Sequence, residues 1–510
     1  MPQNQQLSAN RQNNASNKDI AFRQKMTEFK SSMNRAFHGD ENIDQFCSTR
    51  GLPPEVLKEL MSGNPLSLCI PEQYGGFGGT VKQNIAFVSA ASYESLALAL
   101  TLGINNGLFI QPTAKYGQEE AKSAVFKRFL NDSCMGGLMI TEPDFGSDAL
   151  NMQTSFTENE GHFHLKGKKH WAGLTGMADF WLLTARKKIE SGSLMRDIDM
   201  FICDVHAPNQ QIVVEEYFEN LGLYQIPYGR NHLDVRIPEA QKLIPHSTGV
   251  KMLLDLLHRS RFQFPGMGLG FIQRMMDEAI NHVKTRLVSN QNLIEYDQVQ
   301  NRLTRLQANF TIGSALCLNS GEVAGVENDL FTLGLEANIT KSVTSDLMQE
   351  SAQSLLQLVG AKGYKINHIA GRSTVDSRPF QIFEGSNDIM YNQIAESFLK
   401  LMRTAKENNL YQYLKGYATH AASHVKDLVN FELDKQLTQR KLVEFGQVIS
   451  RIVAMDHVIN LEHVGFRKDL INNTLSILKQ EISTMVNTFQ YANSTMAIVD
   501  YQEDSYWFDL

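Results

Sequence analysis

A chain of 510 residues, 42% hydrophobic and 20% charged, has ample apolar material for buried cores, and because one core rarely grows beyond about 250–300 residues it divides into several packed units. Its formal net charge of −7, spread without a long basic block, excludes the clustered Lys and Arg of a nucleic-acid binder and favours a small-molecule ligand. Cys47, Cys69, Cys134, Cys203 and Cys317 are far apart and form no Cys-x-x-Cys pair, so they read as reduced thiols and not as disulfides or metal ligands; with no apolar run of about 18 residues and no apolar signal core, the sequence predicts a cytoplasmic protein without a membrane span.

In chain order, residues 1–20 are nearly all Gln, Asn, Ser and charge and read as a flexible tail. Helical spacing then predicts an N-terminal helical domain over 21–133, as in Val88, Ala91, Leu96 and Leu98 to Leu102, interrupted by the turn-rich loop I-P-E-Q-Y-G-G-F-G-G at 70–79. That loop is no phosphate loop, since no Lys-Ser/Thr follows it. Over 134–250 short β-type runs alternate with turns, namely His162 to Leu165, Phe180 to Thr184, Met200 to Val205, Ile212 to Val214 and Leu233 to Ile237, which predicts a β-barrel or β-sandwich domain. From 251 to 403 the helical period returns, with Phe271, Met275, Ala279, Val283 and Leu287 on one stripe of a long helix. Residues 404–510 repeat helical patterning (Leu442, Phe445, Ile449, Ile452, Met455) before an acidic, aromatic end, Y-Q-E-D-S-Y-W-F-D-L. The expected fold class is α+β multidomain: helical domain, β domain, helical bundle and an extra helical extension.

Two segments carry chemistry. In Met139 to Asp148, M-I-T-E-P-D-F-G-S-D, an apolar strand stops at Thr141 and a Pro143, Gly146, Ser147 turn follows, which can present N–H groups and hydroxyls to an anion or a planar ring. Taken alone it is an ordinary strand-to-turn transition. The second segment is Gln381 to Ala395, Q-I-F-E-G-S-N-D-I-M-Y-N-Q-I-A. Taken alone, Glu384 is an acid ahead of a helix N-capped by Ser386.

Together the two change meaning. T-E-P-x-x-G-S-D, followed by G-K-K-H-W-A-G-L-T-G-M-A-D-F-W and then by F-E-G-S-N-D-I, resembles the paired signature and the catalytic block of acyl-CoA dehydrogenases, in order and over roughly residues 40 to 400. The resemblance implies FAD contacts for Leu138, Ile140, Thr141 and Ser147, with Ser147 also near the pantetheine arm of a thioester, and Trp171 stacked on the isoalloxazine. Gly173 stands where the family has a hydroxyl residue near flavin N5, a hydroxyl that Thr175 could replace. Ser386 and Asp388 fall on FAD-touching positions, in place of Thr and of Gln or Glu.

Glu384 falls on the catalytic base. The α C–H of a thioester is a very weak acid, so its removal needs a positioned base and stabilisation of the enolate-like oxygen. One glutamate meets both needs through its carboxylate and its own N–H. A carboxylate between Phe383 and Gly385 is desolvated and its pKa rises, while Gly385 keeps the backbone open to substrate. Arg261 falls where relatives keep an arginine near the acid, and Ser260 occupies the place where some subfamilies put their base.

Arg286 and Gln357 match positions that in relatives bind the FAD of a neighbouring subunit, which implies a homodimer or homotetramer; Ser289, Asn290 and Ala361 depart from the aromatic and the glycines expected there. The implied reaction is α,β-dehydrogenation of an acyl thioester to a trans-2-enoyl product, with the β hydride passing to flavin N5 and an electron-transfer flavoprotein as acceptor. Close alternatives are an acyl-CoA oxidase or a dehydrogenase of carrier-protein thioesters. A non-catalytic flavoprotein of the DNA-associated branch calls for a basic extension, and residues 404–510 hold ten Lys and Arg against thirteen Asp and Glu. Flavin monooxygenases on this fold generally lack the glutamate.

Overall fold

The computed structural model describes residues 17–39, 43–45, 49–434, 436–491 and 496–505. Most of the expected tail, and Cys47, lie outside the described residues; residues 17–20 open the first helix. That helix, α1 (Asn17–His38), is followed by α2 (Pro54–Met61), α3 (Val81–Glu94), α4 (Leu96–Gly103), a π-helical segment (Ile104–Ile110), α5 (Gln111–Tyr116) and α6 (Glu119–Asn131). The 70–79 loop delivers the chain to α3 through a capping box: Thr80 Oγ1 accepts from the Gln83 N–H at 3.2 Å, and the Gln83 side chain accepts from the Thr80 N–H at 2.9 Å.

The middle of the chain forms β1 (Gly136–Met139), β2 (Ser155–Asn159), β3 (His162–Gly173), β4 (Phe180–Lys187), β5 (Asp199–Asp204), β6 (Gln210–Tyr217) and β7 (Tyr228–Pro238). They make one mixed seven-stranded sheet in the order β1-β4-β2-β3-β7-β6, with β5 paired to β4. The strands run longer than the β-type patterns predict, above all β3, whose lysine-rich second half is held by β7 along its length. Alternation along β3 buries Phe163, Leu165 and Lys169 on one face.

Helices α7 (Gly249–Arg261), α8 (Phe264–Thr285), α9 (Asp297–Val323), α10 (Gly334–Val359), α11 (Ile369–Ser377) and α12 (Asn387–Ala405) form the bundle, with a two-residue hairpin, β8 (Leu287–Val288) and β9 (Gln291–Asn292), after α8. Leu287 therefore falls outside the predicted helical stripe: α8 ends at Thr285 and Leu287 is exposed. The extension contributes α13 (Leu410–Tyr417), α14 (Ala422–Val429), α15 (Gln439–Asn460) and α16 (Lys468–Gln490). α15 packs on α12 and α16 on α9, so the extension shares the bundle's core through Phe398, Phe445, Ile449 and Leu478, each fully buried. No helix among the described residues is long and apolar enough to cross a membrane.

Candidate active site

The turn that carries Glu384 is shaped by backbone. Glu384 has φ 56° and Gly385 φ 92°, two consecutive left-handed residues just ahead of α12. Only Gly tolerates the second comfortably, and a Cβ there would lie 2.4 Å from Met390 Cε; for Glu384 the conformation costs on the order of 1–3 kcal/mol, strain that the surroundings must hold. They hold it from three sides. Arg261 Nη2 donates to the Glu384 carbonyl at 2.9 Å, Lys341 Nζ donates to the Gly385 carbonyl at 2.8 Å, and Phe383 packs on Phe380 and Phe264, with ring centroids 4.9 and 5.9 Å away.

The carboxylate itself is half-committed. Oε1 accepts from Ser260 Oγ at 2.6 Å, whereas Oε2 is buried with no partner. Burial pushes the Glu384 pKa above the ordinary range, against the opposing pull of Ser260, Arg261 and Lys341. Lys341 is itself drawn down to about 7 by burial, despite Glu384. Ser386 sits at the N-cap of α12, but its hydroxyl makes no cap bond. Asp388 is exposed in the first turn of that helix.

The second half of the site lies at the ends of β1 and β3. Lys169, on the buried face of β3, donates to Glu142 Oε1, the Ile140 carbonyl and Thr184 Oγ1, each at 3.0 Å. The Glu142 carboxylate also accepts the N–H groups of Thr154 (2.9 Å) and Gln153 (2.5 Å). Burial pushes the Glu142 carboxyl up, but Lys169 and these bonds outweigh it and hold its pKa below the usual range; burial brings Lys169 down to about 8. This ion pair ties T-E-P to G-K-K-H-W and fixes the strand edge Leu138–Thr141. The His170 N–H adds a bond to the Thr141 carbonyl at 2.8 Å.

Trp171 is a β-bulge. The β3–β7 register shifts between His170 and Ala172, Trp171 takes φ 57°, and its indole is turned outward, 51% exposed and leaning on Phe218 at 4.5 Å. Ser147 is exposed in the turn after β1, whereas Leu138, Ile140 and Thr141 are partly buried. The suggested role of Thr175 is corrected: its side chain is fully buried, donates to the Ala172 carbonyl at 2.7 Å and accepts from Asn231 at 3.1 Å, so it faces the sheet interior. A hydroxyl residue at position 173 is crowded as well, since a Cβ there would lie 3.0 Å from Ile104 Cδ1 and 3.3 Å from Tyr228 Cε1 and both side chains would have to give by a few tenths of an ångström. Gly173→Ser is therefore expected to cost about 1–3 kcal/mol by overpacking, read as a lower denaturation midpoint.

One segment touches both halves. The π-helical turn meets Gly173 through Ile104 and the Gln263 side chain at Gly107, and the Gln263 N–H donates to the Ser260 carbonyl at 2.8 Å. π-Helical turns recur at functional sites because they widen a helix locally. Arg286 and Gln357 are not part of this cluster. They are exposed at the C-terminal ends of α8 and α10, where His282 bonds the Leu358 backbone near Arg286, Lys362 and His368. At 1.5 Å per residue, the 22-residue α8 sets Arg286 about 33 Å from the helix start beside Ser260 and Arg261.

Comparison with known proteins settles the family. The N-terminal, middle and C-terminal domain models of acyl-CoA dehydrogenase match residues 24–133, 137–235 and 247–399 in order. The chain belongs to the acyl-CoA dehydrogenase family. An acyl-CoA dehydrogenase of Bacillus subtilis is 25% identical over 354 residues, 68% of this chain and 89% of that protein, and a glutaryl-CoA dehydrogenase of Desulfococcus multivorans is 24% identical over 63% and 82%. Among solved structures, the fold is that of an acyl-CoA dehydrogenase complexed with FAD from Bacillus anthracis (TM-score 0.73, 18% identity, 94% of this chain and 88% of that one) and of the prolyl acyl carrier protein oxidase AnaB (0.65, 16%, 74% and 98%).

Within this family member, three participants escaped the sequence. Ser260 was read only as the absence of a rival base, yet it is the hydrogen-bond donor to Glu384. Lys341 lies in a helix without a motif. The Glu142–Lys169 pair was legible in principle, because period-2 alternation places Lys169 on the buried side of β3, where a lysine demands an acid.

Proposed function

We propose that the protein removes a proton from the α carbon of an acyl thioester with Glu384 and dehydrogenates it to the 2-enoyl thioester, in an FAD site built from β1, β3 and the start of α12. The observation that carries this reading is the buried, partnerless Oε2 of a glutamate whose other oxygen and whose backbone are both held. A base needs one free lone pair in a fixed direction, and the raised pKa makes the carboxylate a stronger acceptor. No backbone partner is found for the Glu384 N–H among the described residues, which leaves it for the developing thioester oxyanion.

The residues present fit FAD. Trp171 offers a half-exposed aromatic face on a bulge, Ser386 a hydroxyl without a cap bond, and α12 a helix N-terminus. Leu138, Ile140, Thr141, Ser147, Gly173 and Asp388 complete the proposed contacts, with Ser147, Arg261, Glu384 and Gly385 toward the substrate. The separation of Arg286 and Gln357 from this cluster supports a second copy bringing them to a shared FAD, hence a homodimer or homotetramer. Bound FAD supplies the acceptor for the hydride that leaves the β carbon; an electron-transfer flavoprotein is the proposed final acceptor.

Glu384 acts only as the carboxylate, so the rate of substrate dehydrogenation falls on the acid side, with an apparent pKa above that of an ordinary glutamate. Stability runs the other way. A carboxyl with a raised folded pKa favours the folded state below its unfolded pKa and loses that contribution as pH rises through the folded one. A pH profile of anaerobic flavin reduction checks the first, and thermal melts over the same range check the second. The reaction class is tested by adding acyl thioesters of varied length, on CoA and on carrier protein, to the anaerobic yellow protein. Bleaching of the oxidised flavin band is expected with one of them, and no bleaching with any would remove the dehydrogenase reading.

A further inference from the structure

The family models stop at residue 399, which leaves the extension without an assigned role. Among the described residues, its helix α15 packs on α12 beside Tyr391 of the catalytic block. α15 approaches α12 so closely that a Cβ on Gly446 would lie 2.0 Å from the Tyr391 carbonyl. One turn further on, the Arg451 side chain is buried, with Nε and Nη1 lacking hydrogen-bond partners; it sits 3.4 Å from Glu481 of α16 and faces Tyr391, Asp346 and Glu350 electrostatically.

Asp346, one of the acids that Arg451 faces, is hydrogen-bonded to both flanks of the catalytic turn. Gln381, before Glu384, donates to Asp346 Oδ1 at 2.7 Å; Asn387 and Tyr391, after it, donate to Oδ1 at 2.6 Å and to Oδ2 at 2.5 Å. Asn387 also accepts from Lys341 at 2.8 Å, the same ammonium that holds the Gly385 carbonyl. All three donors to Asp346 are neutral, and Glu350 lies one turn along the same helix, with Glu481 beyond it. Arg305 bridges the latter two, at 3.7 Å from Glu350 and 3.4 Å from Glu481. Without Arg451, three acids share this region with Arg305 and Lys341, and like-charge repulsion pushes Asp346 away from Glu350 and Glu481.

We infer that the carboxy-terminal extension is a working part of the catalytic apparatus, in which Arg451 is a positioning residue that holds, through Asp346, both flanks of the Glu384 turn. This rests on the reading of Glu384 as the base. Its energetic logic is that a misplacement of about 1 Å at a reacting group costs up to about a hundredfold in rate, while uniform binding is spared.

The test uses the full-length, FAD-loaded protein. Arg451→Met is expected to slow anaerobic flavin reduction by about tenfold or more, with the substrate dissociation constant changed by less than about twofold, and to speed amide hydrogen exchange over residues 380–391. Arg451→Lys restores most of both. Ile471→Ala, in the core of α16 but about 15 Å along the helix from Glu481, lowers the melting temperature without either change. Should Arg451→Met fail to fold, Tyr391→Phe removes only the hydroxyl that bonds Asp346 and carries the same readouts. Wild-type exchange and rate in these variants, or a loss that Ile471→Ala reproduces, overturns the inference. A wild-type protein that no acyl thioester reduces would sink the dehydrogenase reading alone, because the exchange measurement still decides Arg451.

Discussion

Glu384→Gln keeps its fold and its flavin but loses substrate-dependent bleaching by about 10²–10⁴-fold, the range that a positioned general base contributes. The amide is isosteric and still accepts the Ser260 hydrogen bond, and the Arg261 and Lys341 bonds go to backbone carbonyls that the substitution leaves in place. What disappears is the lone pair of the unpartnered Oε2 and the charge that makes it basic. Removing a buried acid with a raised pKa also lifts a desolvation penalty, so the melting temperature holds or rises at neutral pH. Single-turnover flavin absorbance and a thermal melt on the same preparation check both halves. A melting temperature that collapses with the rate would mean that the carboxylate is structural.

Lys169→Met has the largest expected effect on stability, about 3–5 kcal/mol, the cost of leaving a buried charge without its partner. The side chain of Lys169 has no exposed surface and that of Glu142 almost none, and between them they fix the Ile140 carbonyl and the N–H groups of Gln153 and Thr154. Loss of the ammonium strands the carboxylate and loosens the strand edge proposed to meet the flavin, so bound FAD falls together with the denaturation midpoint. The double variant Glu142→Gln, Lys169→Met removes both charges and recovers a large part of the stability. A single variant as stable as the wild type would show that Glu142 has another partner.

The order of domains was readable because the apolar period changes twice, from helical to alternating near Cys134 and back near Gly249, and the structure follows both changes. β2 was missed because S-F-T-E-N buries little besides Phe156, too few apolar positions to alternate. The end of α8 was missed because K-T-R-L offers no Gly or Pro at the stop, so the stripe ran on to Leu287. Glu384 was legible only in company, through the motif around it. Its left-handed backbone, the bulge that turns Trp171 outward and the donors Ser260 and Lys341 belong to tertiary geometry, which no local pattern encodes. Thr175 shows the limit most clearly: two residues from Gly173 in sequence, its hydroxyl is spent on Ala172 and Asn231.

The claim that Glu384 abstracts the α proton is tested most directly in D₂O, with an acyl thioester whose β position carries no hydrogen and which therefore cannot be dehydrogenated. The wild-type protein is expected to exchange the α protons of this compound for deuterium, followed by proton NMR, while Glu384→Gln does not. Equal exchange by the two proteins, or none by the wild type with thioesters that bleach the flavin, would contradict the assignment.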